Sequence, residues 1–138
     1  MKYQRTGNYV AVLLETGDDI LSSIGAVCST EKIQTAVVTG MGGLKQVEVG
    51  VWGNSIGRYH TRTGTDPDME MTALVGNVTM AEGKVFPHLH ATVADSTGNV
   101  FGGHLIVGTV QNMAEIWVED TGARIEKVRR GPWFVMNL

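Results

Sequence analysis

Three of the four histidines fall in one short part of the chain, as Pro87-His88-Leu89-His90 and Gly102-Gly103-His104. Alternate residues of a strand share a face, so His88 and His90 point one way while Leu89 and Ala91 point the other. The intervening Ser96-Thr97-Gly98 suits a three-residue hairpin, a type I turn closed by a glycine in the left-handed region. That turn pairs Asp95 with Asn99, and counting back along both strands sets His90 opposite His104. All three rings are then expected on one face. Directly opposed residues hold their Cβ atoms about 4.5 to 5.5 Å apart, and the next residue on that face lies about 6 to 7 Å along the strand. Three imidazoles at that spacing can converge on one divalent ion, zinc first, leaving a fourth position for water, substrate or a residue of another subunit. With one cysteine, Cys28, the chain cannot build a thiolate-rich structural zinc site. The plainer alternative is three histidines hydrogen-bonded to neighbours on a polar sheet face, and Gly102-Gly103 is where a bulge would break the register.

Glu70 and Glu82 are candidates for a general base beside such an ion, and Asp95 for orienting a ligand from behind. Nothing in the sequence places any of the three within reach. Residues 57–65, with Arg58, Tyr59, His60 and Arg62, read as a solvated loop; an anion site or a fourth ligand from His60 is the alternative. Gly40-Met41-Gly42-Gly43 follows an apolar strand, but Lys45 stands where a dinucleotide loop needs its third glycine, and the next residues alternate as a strand. A tight connection between strands is read there. Arg124, Lys127, Arg129 and Arg130 around Glu126 suit a charged edge strand, with DNA contact as the alternative. Met69, Met71 and Met80 read as core filler.

The elements that must position these residues are mostly strands. Tyr9 to Leu14 is a short apolar run that suits a strand buried on both faces. Thr16-Gly17-Asp18-Asp19 then offers capping oxygens, and Ile20, Leu21, Ile24, Val27 and Cys28 follow at helical spacing, predicting one amphipathic helix over 18–30. Gly25 in its middle disfavours the helix by about 1 kcal/mol relative to alanine, which close packing on a sheet would explain. Ile33 to Thr39 and the alternating Val47, Val49 and Val51 read as separate strands. Residues 53–68 read as a polar, mobile connection, able to act as a lid. Met71 to Thr79, Val85 to Ala94, Val100 to Val107 and Ala114 to Val118 are four further strand segments. The fold class expected is α+β, a largely antiparallel mixed sheet with the one helix packed on it.

At 138 residues, 43% of them hydrophobic, the chain is expected to form a single domain over 1–138 with one core. A net charge of −3 supplies no overall field for nucleic acid or anionic lipid, so direct DNA binding needs a local patch or a partner. The lone cysteine fits a reducing compartment, and the N-terminal apolar run, stopped by Glu15, is too short for a signal sequence or a membrane span; cytoplasmic is the expectation.

The ordered segments 14–21 (Leu-Glu-Thr-Gly-Asp-Asp-Ile-Leu), Gly40-Met41-Gly42-Gly43-Leu44, 70–77 (Glu-Met-Thr-Ala-Leu-Val-Gly-Asn), Pro87-His88-Leu89-His90-Ala91 and Gly102-Gly103-His104-Leu105 resemble the PPC domain, conserved in plants and prokaryotes. The likeness covers nearly the whole chain, and His-Leu-His followed by Gly-Gly-His is its most specific part. The resemblance implies a compact α/β domain that assembles as a homotrimer, attached to AT-hooks in plant nuclear proteins and standing alone in prokaryotes, where DNA binding is assigned by analogy. It also implies that His88, His90 and His104 are the positions where a metal ion can be held. Arg129-Arg130-Gly131-Pro132 lacks the arginine between glycine and proline on which an AT-hook depends, so DNA binding by that route does not carry over. The segment before Gly76 is richer in methionine than the family pattern. The expectation is an oligomeric binding or regulatory module with a three-histidine metal site. The alternatives are a metal-dependent hydrolase or lyase, or a small-ligand binder with its pocket between subunits.

Overall fold

The computed structural model describes residues 1–138, and its single helix, α1 (Ile20–Thr30), starts where the capping chemistry puts it. The Asp19 carboxylate accepts a hydrogen bond from the Ser22 N–H at 2.8 Å, satisfying one of the free donors of the first turn. Ile20, Ile24, Val27 and Cys28 form the buried stripe. A Cβ on Gly25 would stand 3.8 Å from Pro87 Cγ, an ordinary contact, so packing does not demand glycine there. Burial pushes the Cys28 thiol up to about 12, with the Asp120 charge adding to it, which leaves an inert core thiol.

Nine strands make up the rest of the fold: β1 (Lys2–Thr6), β2 (Tyr9–Glu15), β3 (Ala36–Gly53), β4 (Arg58–Gly64), β5 (Met69–Ala81), β6 (Lys84–Ala94), β7 (Val100–Asp120), β8 (Glu126–Arg130) and β9 (Trp133–Met136). β3 pairs with β5, β5 with β6, β6 with β7 and β7 with β3, all antiparallel, so these four close on themselves. The β5–β8 pair is parallel and makes the sheet mixed. Leu44, Leu74, Leu89, Leu105 and Ile116 from this ring join the stripe of α1 in one cluster of 25 buried side chains. The class is α+β, in one domain.

Several segments differ from the sequence expectation. β2 is buried on one face only, through Val10, Val12 and Leu14, while Tyr9 on the other face is exposed. Gly40 to Gly43 does not connect two strands: β3 runs through it, with a bulge between Gly40 and Gly42. Glycine is needed because the backbone of β7 lies close; a Cβ on Gly43 would stand 2.5 Å from the Gln111 carbonyl oxygen. Residues 58–64 are no open connection but β4, paired with β3 from Val47↔Gly64 to Gly53↔Arg58. The two segments expected at 100–107 and 114–118 are one long strand, β7. β8 lies between β5 and β9 rather than at an edge. β1 carries no strong pattern of its own and forms by pairing with β2.

Candidate metal centre

The β6–β7 hairpin turns as its sequence dictates. The Asp95 N–H donates to the Asn99 carbonyl at 3.0 Å and the Gly98 N–H to the Asp95 carbonyl at 2.9 Å, with Gly98 at φ +82°. The Asp95 carboxylate accepts from the Thr97 hydroxyl at 2.6 Å and from the Asn99 N–H at 2.9 Å. The Thr97 hydroxyl, with the Asn99 and Thr97 amides, holds its carboxyl at about 2. Asp95 therefore fixes the turn, and the turn fixes the register that sets His90 opposite His104. Its position at the turn leaves it no part in orienting the rings from behind.

One nitrogen from each of His88, His90 and His104 lies within 4.8 Å of the others. The ring centroids are 5.4 Å apart for His88 and His90, 5.0 Å for His88 and His104, and 5.4 Å for His90 and His104. His90 is exposed and the other two are half-buried. Leu89, between two of them on β6, is fully buried, which anchors the alternation by about 1.5–3 kcal/mol. The Tyr59 ring of β4 stacks on His104 at 5.2 Å and 12°. The Nδ1 of His104 is buried without a hydrogen-bond partner.

One cation shares the site. Lys127, on β8, is 5% exposed, and its Nζ lies 3.2 Å from His88 Nδ1 and 3.4 Å from Asn77 Oδ1. The Phe86 ring is 5.0 Å from the same atom. Burial lowers the Lys127 pKa. The His88 pKa is pushed down to about 4, first by burial, then by the Lys127 charge and the other two histidines. His104 is lowered too, by burial first, then by His90 and Lys127. At neutral pH His88 and His104 are thus uncharged.

The other sequence candidates lie elsewhere. Glu70 stands at the start of β5, opposite Gly43 and Ala94, five residues from Val75, which faces His90. Glu82 occupies the β5–β6 turn at φ +51°. His60 follows Tyr59 on β4 and lies against Gly53, on the other face from the stacked Tyr59. Lys127, Tyr59 and Asn77 are the site residues the sequence did not reveal. Lys127 sits in a basic run that reads as surface, and only the β5–β8 pairing turns it inward.

Residues 1–121 match the model of the Plants and Prokaryotes Conserved (PCC) domain, and the chain belongs to this family, the PPC domain family. Among solved structures, a PPC protein from Pyrococcus horikoshii aligns with a TM-score of 0.84 and 29% identity over 98% of this chain and 92% of that one. A Ralstonia eutropha protein, provisionally named for DNA binding, aligns at 0.91 and 27% over 99% and 96%. A metal-containing protein from Archaeoglobus fulgidus shares the fold at 0.86 and 23% over 100% and 99%. No curated protein matches the sequence.

Proposed function

We propose that this PPC domain is a metal-binding module in which His88, His90 and His104 hold one divalent ion, zinc by preference, on each subunit of a homotrimer. The observation that carries the reading is the convergence of one nitrogen from each of three imidazoles within 4.8 Å; in addition, His104 Nδ1 is buried with no hydrogen-bond partner. An orphaned buried nitrogen costs roughly 1–3 kcal/mol, and neutral imidazoles are good ligands for zinc, copper, iron and nickel. In a tetrahedral site with nitrogens about 2.0–2.1 Å from zinc, the nitrogens stand about 3.3 Å apart, within reach of small side-chain rotations from their present spacing. When bound, such an ion supplies a Lewis acid with an open fourth position. The chain's own residues do the rest: burial keeps His88 and His104 neutral, Tyr59 holds the His104 plane, and His90 faces the open side.

The trimer reading is supported by an apolar outer face on β2, β7 and β3. Tyr9, Val37, Met41 and Trp117 are 48%, 46%, 60% and 53% exposed there. The face extends through Thr39 to Val75, opposite His90, so a subunit seated on it abuts the site. Direct DNA binding has less support: Arg124 is paired with Glu126 at 2.6 Å and Lys127 is buried, which thins the C-terminal basic run. The test is a zinc titration against a chromophoric chelator. One zinc per wild-type chain, with affinity reduced at least tenfold in folded His90→Ala and His104→Ala variants, supports the site. Equal affinity in the variants overturns it.

A further inference from the structure

Lys127 makes no ion pair in this structure; none of the salt bridges includes it. A buried ammonium without a counter-charge is unfavourable unless something of opposite charge joins it. An ammonium can only donate, so at 3.2 Å His88 Nδ1 is its acceptor. A neutral imidazole whose Nδ1 accepts carries its proton on Nε2 and has no lone pair left for an ion. An ion held through His88 Nδ1 takes the lone pair that Lys127 now uses, so Lys127 must leave that nitrogen for it. The remaining acceptor beside it is Asn77 Oδ1, at 3.4 Å. A displaced ammonium next to a dication needs an anion, and the ion's open position needs a donor.

Resting on the metal reading above, we infer that the histidine-bound ion and Lys127 together bind the carboxylate of a small organic acid. One carboxylate oxygen fills the ion's open position and the other accepts from Nζ, which offsets both charges with one group. The surroundings favour an organic anion over an inorganic one. Phe86 lies 5.0 Å from Nζ on one side, and Tyr59, stacked on His104, continues into Trp52 and Trp133 on another. These rings supply apolar contact for a carbon skeleton. Lys127, Trp133 and Phe134 belong to the C-terminal hairpin β8–β9, beyond the residues 1–121 that define the family match. This hairpin adds the cation and part of the aromatic wall to a metal site built by the domain.

The experiment uses the full chain loaded with cobalt(II), whose visible absorption reports its ligands, titrated with glycolate, glycolamide and sulfate. Glycolate is expected to change the spectrum saturably, glycolamide and sulfate to do so at least tenfold more weakly. Lys127→Met is expected to keep the cobalt spectrum and weaken glycolate at least tenfold, while Lys127→Arg retains binding. Lys127→Gln, checked by circular dichroism, replaces the methionine variant if that one does not fold. Glycolate binding unchanged in the Met or Gln variant overturns the inference, as does a wild-type spectrum that ignores glycolate. Sulfate binding as tight as glycolate overturns the organic acid. Failure of the wild type to take up cobalt removes the metal reading and this inference with it, an outcome distinct from the others.

Discussion

Two glycine-to-alanine changes, identical in chemistry, are expected to act in opposite directions because their surroundings differ. On Gly102 of β7 a Cβ would stand 2.5 Å from the Ala91 carbonyl oxygen and 3.2 Å from Thr92 Cα, both backbone atoms of β6. Contacts below 3.0 Å are essentially never seen, so the strands must part by at least about 0.5 Å, and by about 0.9 Å to reach ordinary contact at 3.4 Å. Neither neighbour is a flexible side chain that can swing away. Forced overpacking of this kind costs about 1–3 kcal/mol, and at this chain length each kcal/mol lowers Tm by roughly 3–6 °C. Gly102→Ala is thus expected to melt about 3–18 °C lower. Because His90 and His104 sit on the two strands that part, zinc affinity should also fall, by about 10–100-fold as for other changes that misplace a ligand. On Gly25 of α1 the same Cβ meets only Pro87 Cγ at 3.8 Å, and the helix gains about 0.5–1 kcal/mol from alanine, raising Tm by about 2–5 °C. Differential scanning calorimetry of the metal-free proteins reads both. A Gly102→Ala protein that melts at or above the wild-type temperature would refute the argument from strand approach.

Three further outcomes follow from the site and its face. The pKa values of His88 and His104 lie below the unfolded value of 6.5, His88 at about 4. In that window the unfolded chain binds more protons, so metal-free stability falls as pH drops from 6.5 towards 4, by roughly 1–3 kcal/mol from His88 once solvent screening is allowed for. Urea unfolding at pH 7 and pH 4.5 measures it, and equal midpoints contradict it. Trp117→Glu puts a charge on the apolar outer face, where Trp117 is 53% exposed, and is expected to dissociate the proposed trimer without unfolding the subunit; sedimentation velocity of both proteins decides, and a variant as trimeric as the wild type contradicts the face as interface. Leu89→Ala empties a fully buried position between the two histidines of β6 and is expected to lower stability by about 2–5 kcal/mol in urea; a smaller loss would mean the alternation of β6 is held by something else.

The part of the site legible in the sequence is the part built locally. Ser96-Thr97-Gly98 and its flanking Asp95 and Asn99 specify the turn, the turn specifies the register, and the period of two puts His88 and His90 on the face of His104. The helix was legible for the same reason, since its cap and stripe lie within a dozen residues. What the sequence hid depends on distant pairing. Gly40 to Gly43 has the composition of a connection, yet β7 runs beside it and makes it the bulged middle of a strand. Residues 58–64 are polar enough to read as loop but complete the open edge of β3. Lys127 looks like one of several surface charges, and its place beside His88 comes from a two-residue parallel pairing with β5. Asn77, its other contact, is 50 residues away in the chain. Side-chain direction in so short a strand is set by its partner, not by its own pattern.

The central claim is that the three histidines hold an ion in the working protein. The most direct measurement is elemental analysis of tag-free protein purified without added metal, beside a folded His90→Ala variant of the same oligomeric state. One equivalent of a single divalent metal per wild-type chain, lost in the variant, is the expected result. Metal-free protein in both, still empty after zinc, iron or nickel is offered, would contradict the account and leave His88, His90 and His104 as a polar cluster on a sheet face.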